Sequence, residues 1–212
     1  MVIVPSKDQL LSVLKAAGHQ PRVVASEDGA ALAVLPHGGR ILGLFSGESD
    51  TNFLWTNPAL ARAATAKEYF ASKDWHNSGG DRTWLAPEVD FFFPNFPDLT
   101  SYFQPRGLDP GSYQVTNREG EVSGTQEGLG SGAELTIENE LQLESRRAAQ
   151  QLQLRLTKRV SPIENPLRDA AQEDLARPLE TASLETEPLE FAGYRLHTSL
   201  EILNSTSALS SS

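Results

Sequence analysis

Between Trp75 and Glu88 the chain reads W-H-N-S-G-G-D-R-T-W-L-A-P-E, and three kinds of group crowd into that stretch. Trp75 and Trp84 offer flat apolar faces. Asn77, Asp81, Arg82 and Glu88 offer directional hydrogen bonds, Arg82 as a planar fork of donors and the carboxylates as acceptors. The Gly79-Gly80 pair lets the backbone turn sharply and approach a ligand closely. A sugar calls for this combination, because its C–H faces stack on aromatic rings while neighbouring hydroxyls bridge to carboxylates, amides and guanidinium groups. The same residues also fit a structural plug, with Asp81 and Arg82 paired locally and both indoles filling core. Composition leaves the two readings side by side.

Acid–base chemistry has two candidates here, His76 and Glu88. Glu88 follows Pro87 and precedes Val89-Asp90 and the run Phe91–Phe93. A carboxylate beside so much aromatic surface is expected to be partly desolvated, which suits a general acid or base. The plainer expectation is a solvated charge at the end of an apolar strand. His76 is the one histidine inside the cluster; His19 follows a helix stop, His37 belongs to a turn and His197 is opposite in parity to Leu196 and Thr198, so those three read as structural or exposed. The histidine spacing matches no HExxH-type zinc pattern and there is no cysteine, so neither a metal nor a cofactor is expected. No GxSxG elbow or GxxxxGK[ST] loop occurs, and Gly128-Leu129-Gly130-Ser131-Gly132 reads as a turn. A glycosidase needs two facing carboxylates. Asp81, Glu88 and Asp90 supply carboxylates, but spacing does not give their geometry.

These side chains must be positioned by the elements around them. Ser6 with Gln9 has capping-box spacing, Leu10, Leu11, Leu14 and Ala17 form a stripe at helical spacing, and Gly18 supplies the stop. One amphipathic helix is therefore predicted within residues 1–19, packed on the edge of a domain covering 20–212. From residue 20 the period becomes two. Residues 22–26 and 30–36 read as a hairpin about Glu27-Asp28-Gly29, with further strands at 40–46 and 52–56. Asn57-Pro58 opens an Ala-rich helical segment to about Ala71, and prolines and glycines divide 73–106 into short extended pieces. Strands return at 112–117, 121–127, 134–144 and 150–163. In the last, Leu152, Leu154 and Leu156 alternate with polar residues, so one face is buried and one wet. Residues 164–189 read as a long loop and 191–204 as a final long strand. The class is mainly β, an antiparallel sandwich with one N-terminal helix.

Leu196, Thr198, Leu200 and Ile202 alternate as an interior strand should, yet no further strand follows. Either this is an edge, where charge or proline is expected to block aggregation, or the sheet continues in residues the chain lacks. The ending reads as a domain cut short, and as a route to self-association through residues 191–204. Among 212 residues, 18 Lys and Arg stand against 28 Asp and Glu, a net charge of −10 that disfavours nucleic acid. No apolar run is long enough for a membrane span, and the N-terminus lacks a signal-peptide pattern. A soluble, cytoplasmic chain without a membrane partner is expected.

Gly38-Gly39-Arg40-Ile41, Leu54-Trp55-Thr56-Asn57-Pro58 and Gly79-Gly80-Asp81-Arg82-Thr83-Trp84-Leu85-Ala86-Pro87-Glu88 together resemble bacterial proteins of the galactose mutarotase-like (aldose 1-epimerase-like) superfamily, particularly the branch carrying a GG-x-R-x-W-x-APE signature. Gly193-Tyr194 with Thr198–Asn204 is similar to the central strand of that fold, so the resemblance covers most of residues 20–204. It implies an antiparallel super-sandwich that binds a monosaccharide or sugar-chain end on a concave face. In the mutarotases proper a histidine protonates the ring oxygen while a glutamate deprotonates the anomeric hydroxyl. The chain stops at Ser212 before either position, so the resemblance assigns no catalytic pair, and epimerase-type activity is expected only of a longer parent chain. The leading expectation is a carbohydrate-binding protein with Trp75, Asn77, Asp81, Arg82, Trp84 and Glu88 facing one groove. Two alternatives stand beside it. One is a non-enzymatic structural or interaction module, and the other a polysaccharide hydrolase or lyase using His76 with Glu88.

Overall fold

Ser6 accepts a hydrogen bond from the Gln9 amide at 3.3 Å and so caps helix α1, Lys7–Ala16. The chain leaves this helix through Gly18, whose φ of 88° is left-handed. Leu10, Val13 and Leu14 are its buried residues, with Leu11 and Ala17 packed beside them, so the predicted stripe is present and Val13 joins it. The computed structural model describes residues 5–117, 134–165 and 190–204. The strand expected at 121–127, the turn at 128–132 and nearly all of the loop at 164–189 lie outside the described residues.

The described strands form two antiparallel sheets. The first contains β1 (Arg22–Ala25), β2 (Ala31–Leu35) and β3 (Arg40–Phe45) in that order. The second contains β4 (Gln114–Asn117), β5 (Leu135–Ser145), β6 (Gln150–Ile163) and β7 (Gly193–Ile202), also in chain order. Strands β2 and β3 are buried on both faces, which explains why their sequences run almost continuously apolar. One face, with Leu32, Val34, Ile41 and Leu44, meets Ile137, Leu141, Leu154, Leu156 and Val160 of the second sheet. The other face, with Ala33, Leu35, Leu42 and Phe45, is covered by α1 and by α2 (Ala63–Ala71). Helices, small sheet and large sheet are thus three successive layers around two apolar cores. Among the described residues no helix is long and apolar enough to cross a membrane.

Three expectations need correction. Residues 52–56 form no strand; Asn52 and Thr56 make only isolated bridges, to Phe45 and Gly79. Asn52 is the reason, since its side chain accepts from the Leu44 and Leu54 amides at 3.0 Å each and donates to the Leu42 carbonyl at 3.2 Å. Those bonds replace a ladder and leave Phe53 and Trp55 exposed. The Ala-rich segment is split: Asn57 caps a 3₁₀ turn at Pro58–Ala61, and Arg62 is extended before α2 begins. Within 73–106 a short helix α3 (Glu88–Phe91) and a 3₁₀ turn (Leu99–Ser101) stand where only extended pieces were predicted.

Candidate functional site

Residues 76–81 cross the start of β3 through a narrow backbone slot. The Asp81 amide donates to the Ile41 carbonyl at 2.9 Å, the Ile41 amide returns the bond at 3.2 Å, and the Gly80 amide donates to the Trp55 carbonyl at 2.8 Å. Gly79 and Gly80 have φ of 99° and 67°, and a Cβ on them would lie 2.2 Å from Trp55 O and 2.1 Å from Ile41 O. The close approach that these glycines permit is therefore to the protein's own backbone.

Arg40 anchors the slot from below. It is fully buried, and its Nη1 donates to the Gly79 carbonyl at 2.8 Å and to Asn77 Oδ1 at 3.4 Å. Its Nη2 donates to the His76 carbonyl at 3.3 Å and to Asp109 Oδ2 at 2.7 Å. Asp109 is buried too, and the same oxygen accepts from Trp75 Nε1 at 2.9 Å. These four bonds serve both Nη atoms, while the buried Nε has no partner; each further partner lost would leave charge in a poorly polarisable surrounding. Lys158 projects from β6 into the same polar core and donates from Nζ to the Gly39 carbonyl. Burial pushes its amine down to about 8, against the opposing pull of the Asp81 carboxylate. Asp81 accepts from Tyr194 Oη at 3.1 Å, and burial, helped by that carboxylate, pushes the Tyr194 phenol up to about 12.

On the other side of Asp81 the side chains form an aromatic stack. The Arg82 guanidinium lies 4.9 Å from the Trp75 ring centroid and 4.3 Å from that of Trp84. Phe92, itself fully buried, stacks on Trp84 at 4.1 Å with ring planes 8° apart. Tyr102 stands 6.2 Å from both indoles. Trp84 Nε1 donates to Glu88 Oε1 at 2.6 Å. Arg82 has no carboxylate within ion-pair distance among the described residues, and its Nη1 is buried without a partner.

The predicted residues thus divide. Trp75, Arg82, Trp84 and Glu88 form one connected set, and Asp81 reaches Tyr194 beside it. Asn77 is exposed and serves Arg40. Glu88 is exposed rather than desolvated by the Phe run, since α3 turns it outward to the Trp84 N–H. His76 is buried elsewhere, 4.6 Å from Tyr69 and 6.1 Å from His37. Among the described residues no hydrogen bond joins it to Glu88. Sequence reasoning gave no role to the cluster in which His76 sits. His19, His37 and His76 all pack against Phe70 of α2, at 4.0, 5.2 and 6.0 Å. Burial lowers all three; His37, with help from the neighbouring His19, falls to about 4.

Asp109 and Lys158 also escaped notice, while Arg40 and Tyr194 entered only through the resemblance. The alternation of Leu152, Leu154 and Leu156 could have found Lys158, which shares their parity and hence their face. Nothing local marks Asp109, 69 residues from Arg40 in the chain. No protein-family model matches the chain, and no curated protein or solved structure matches it either.

Proposed function

We propose that the chain is a carbohydrate-binding protein of mutarotase-like fold whose recognition element is Arg82, with Trp75 and Asp81 as its neighbours. The supporting observation is the guanidinium itself. It is held across two indole rings in a chain of net charge −10, yet no carboxylate of the described residues pairs with it. An immobilised fork with uncommitted donors takes up a pair of sugar hydroxyls or a uronate carboxylate. Asp81 adds acceptor oxygens beside it, oriented by Tyr194. The two packed antiparallel sheets agree with the coarse architecture of the mutarotase-like superfamily, and the finer assignment rests on the motif resemblance. No acid–base pair is assigned, because His76 is enclosed by rings and Glu88 is committed to Trp84.

Calorimetric titration with hexoses, pentoses and uronic acids tests this reading. Arg82→Ala is expected to abolish binding while the far-UV circular dichroism stays native. Affinity unchanged in that variant would sink it.

One observation favours the interaction-module reading. Phe92 and Arg82 together cover Trp84, and its N–H is already satisfied, so little of that indole is left to a ligand. If the stack is only core, Trp84→Ala costs folding, in the range of about 3–5 kcal/mol seen for buried aromatic deletions, and no sugar binds even the parent chain.

A further inference from the structure

Among the described residues, strand β7 is the outer strand of its sheet and pairs only with β6. Its register sets Leu200 opposite Leu156 and Ile202 opposite Leu154. Those β6 residues are 1% and 2% exposed, whereas Leu200 and Ile202 on the same face are 48% and 59% exposed. The strand is ten residues long and has no proline, and its charges, Arg195 and Glu201, stand on the outer face and leave the inner face without the charge that commonly protects a free edge. The Leu203 amide donates inward to the Gln153 carbonyl, so the backbone groups of odd-numbered residues point at β6. By alternation, those of Tyr194, Leu196, Thr198, Leu200 and Ile202 point outward.

We infer that β7 is a homodimer seam, on which a second copy of β7 pairs antiparallel about a two-fold axis at Thr198. That register sets Thr198 against its own copy, Leu196 against Leu200 and Tyr194 against Ile202. All of these lie on the inner face, and all carry outward-pointing backbone groups, giving about ten hydrogen bonds between the strands. On the outer face it sets Arg195 against Glu201, twice by symmetry. This charge match continues an existing row. Glu140, Arg155 and Glu201 stand side by side across β5, β6 and β7, with Arg155 paired to Glu140 at 2.6 Å and to Glu201 at 2.8 Å. The row holds one cation between two carboxylates, and Arg195, exposed and without an ion pair among the described residues, supplies the next cation from the other copy. A register shifted by one residue at the axis, to His197, would set Arg195 against Ser199 and lose the match.

Sedimentation equilibrium of the whole chain across a concentration series reads the association directly. A species of twice the 23.1 kDa chain mass is expected. Arg195→Glu and Glu201→Arg each place like charges at both symmetric positions, and each is expected to raise the dimer Kd about tenfold or more. Carrying both changes together restores the alternation and the affinity. Because the chain has no cysteine, Thr198→Cys provides a second readout. Facing hydrogen-bonded residues lie about 5.5 Å apart at Cα, within disulfide reach, so this variant is expected to oxidise to a covalent dimer. A monomer throughout the series, a dimer indifferent to the charge changes, or a double variant as weak as the singles would overturn the inference.

Discussion

Removing the Asp109 carboxylate strikes a buried ion pair and an indole hydrogen bond at once. Asp109→Ala leaves Arg40, with no exposed side-chain surface, holding Gly79, Asn77 and His76 but without its 2.7 Å counter-charge. Breaking a buried pair from one side costs about 3–5 kcal/mol, because the surviving charge stays desolvated. The same change strips the acceptor from Trp75 Nε1, which adds about 1 kcal/mol. At roughly 2–4 °C per kcal/mol for a chain of this size, the midpoint of thermal unfolding is expected to fall by about 8–24 °C. Urea unfolding followed by tryptophan fluorescence and circular dichroism measures the loss. The paired variant Arg40→Met/Asp109→Leu removes both charges and is expected to be more stable than Asp109→Ala. A single variant within about 1 kcal/mol of the parent, or a paired variant no better than the single, would show that the pair is not the buried anchor described.

Gly80→Ala places a Cβ 2.1 Å from Ile41 O at a φ of 67°, and is expected to destabilise by about 3 kcal/mol or more in thermal unfolding. Asn52→Ala removes three bonds to the backbone of residues 42, 44 and 54, an expected cost of about 2–4 kcal/mol, with faster hydrogen exchange at the Leu44 and Leu54 amides. Acid is expected to weaken the docking of α2 through His19, His37 and His76, which pack against its Phe70. The folded-state value of His37 lies below that of the unfolded chain, so between 6.5 and about 4 the unfolded chain binds the extra proton. Stability is therefore full above 6.5 and falls as pH drops through that window, by about 1–3 kcal/mol from His37 after allowance for its partial exposure. His37→Gln should flatten that part of the pH dependence, and an unchanged profile would contradict the assignment.

Much of the framework was legible because its signals are local. Ser6 and Gly18 bracket α1 by capping chemistry, and the alternation in β5 and β6 follows from the strand pleat, whereas β7, expected to alternate too, leaves Leu200 and Ile202 exposed. Residues 52–56 misled because β-branched and aromatic content says nothing about a side-chain amide taking the ladder's bonds. The site was legible in part for the same reason. The aromatic residues and Arg82 are close in sequence and stack as neighbours, whereas Asp109 and Tyr194 reach Trp75 and Asp81 only through the tertiary fold. Lys158 was hidden by its own charge, since a lysine on a strand ordinarily reads as the wet face. Likewise, His19 and His37 seemed unrelated until α2 brought Phe70 between them and His76.

Sugar binding at Arg82, framed by Trp75 and Trp84, is the proposal on which the function rests. A ¹H–¹⁵N correlation spectrum of the chain, titrated with hexoses, pentoses and uronic acids, tests it most directly, because indole and guanidinium N–H signals report this cluster. Saturable shifts of the Trp75 indole and Arg82 Nε signals are expected with at least one sugar class, and the Trp75 shift is expected to vanish in Arg82→Ala while the remaining peaks keep their dispersion. Well-dispersed spectra in which both signals ignore every sugar would contradict it and leave the stack as core.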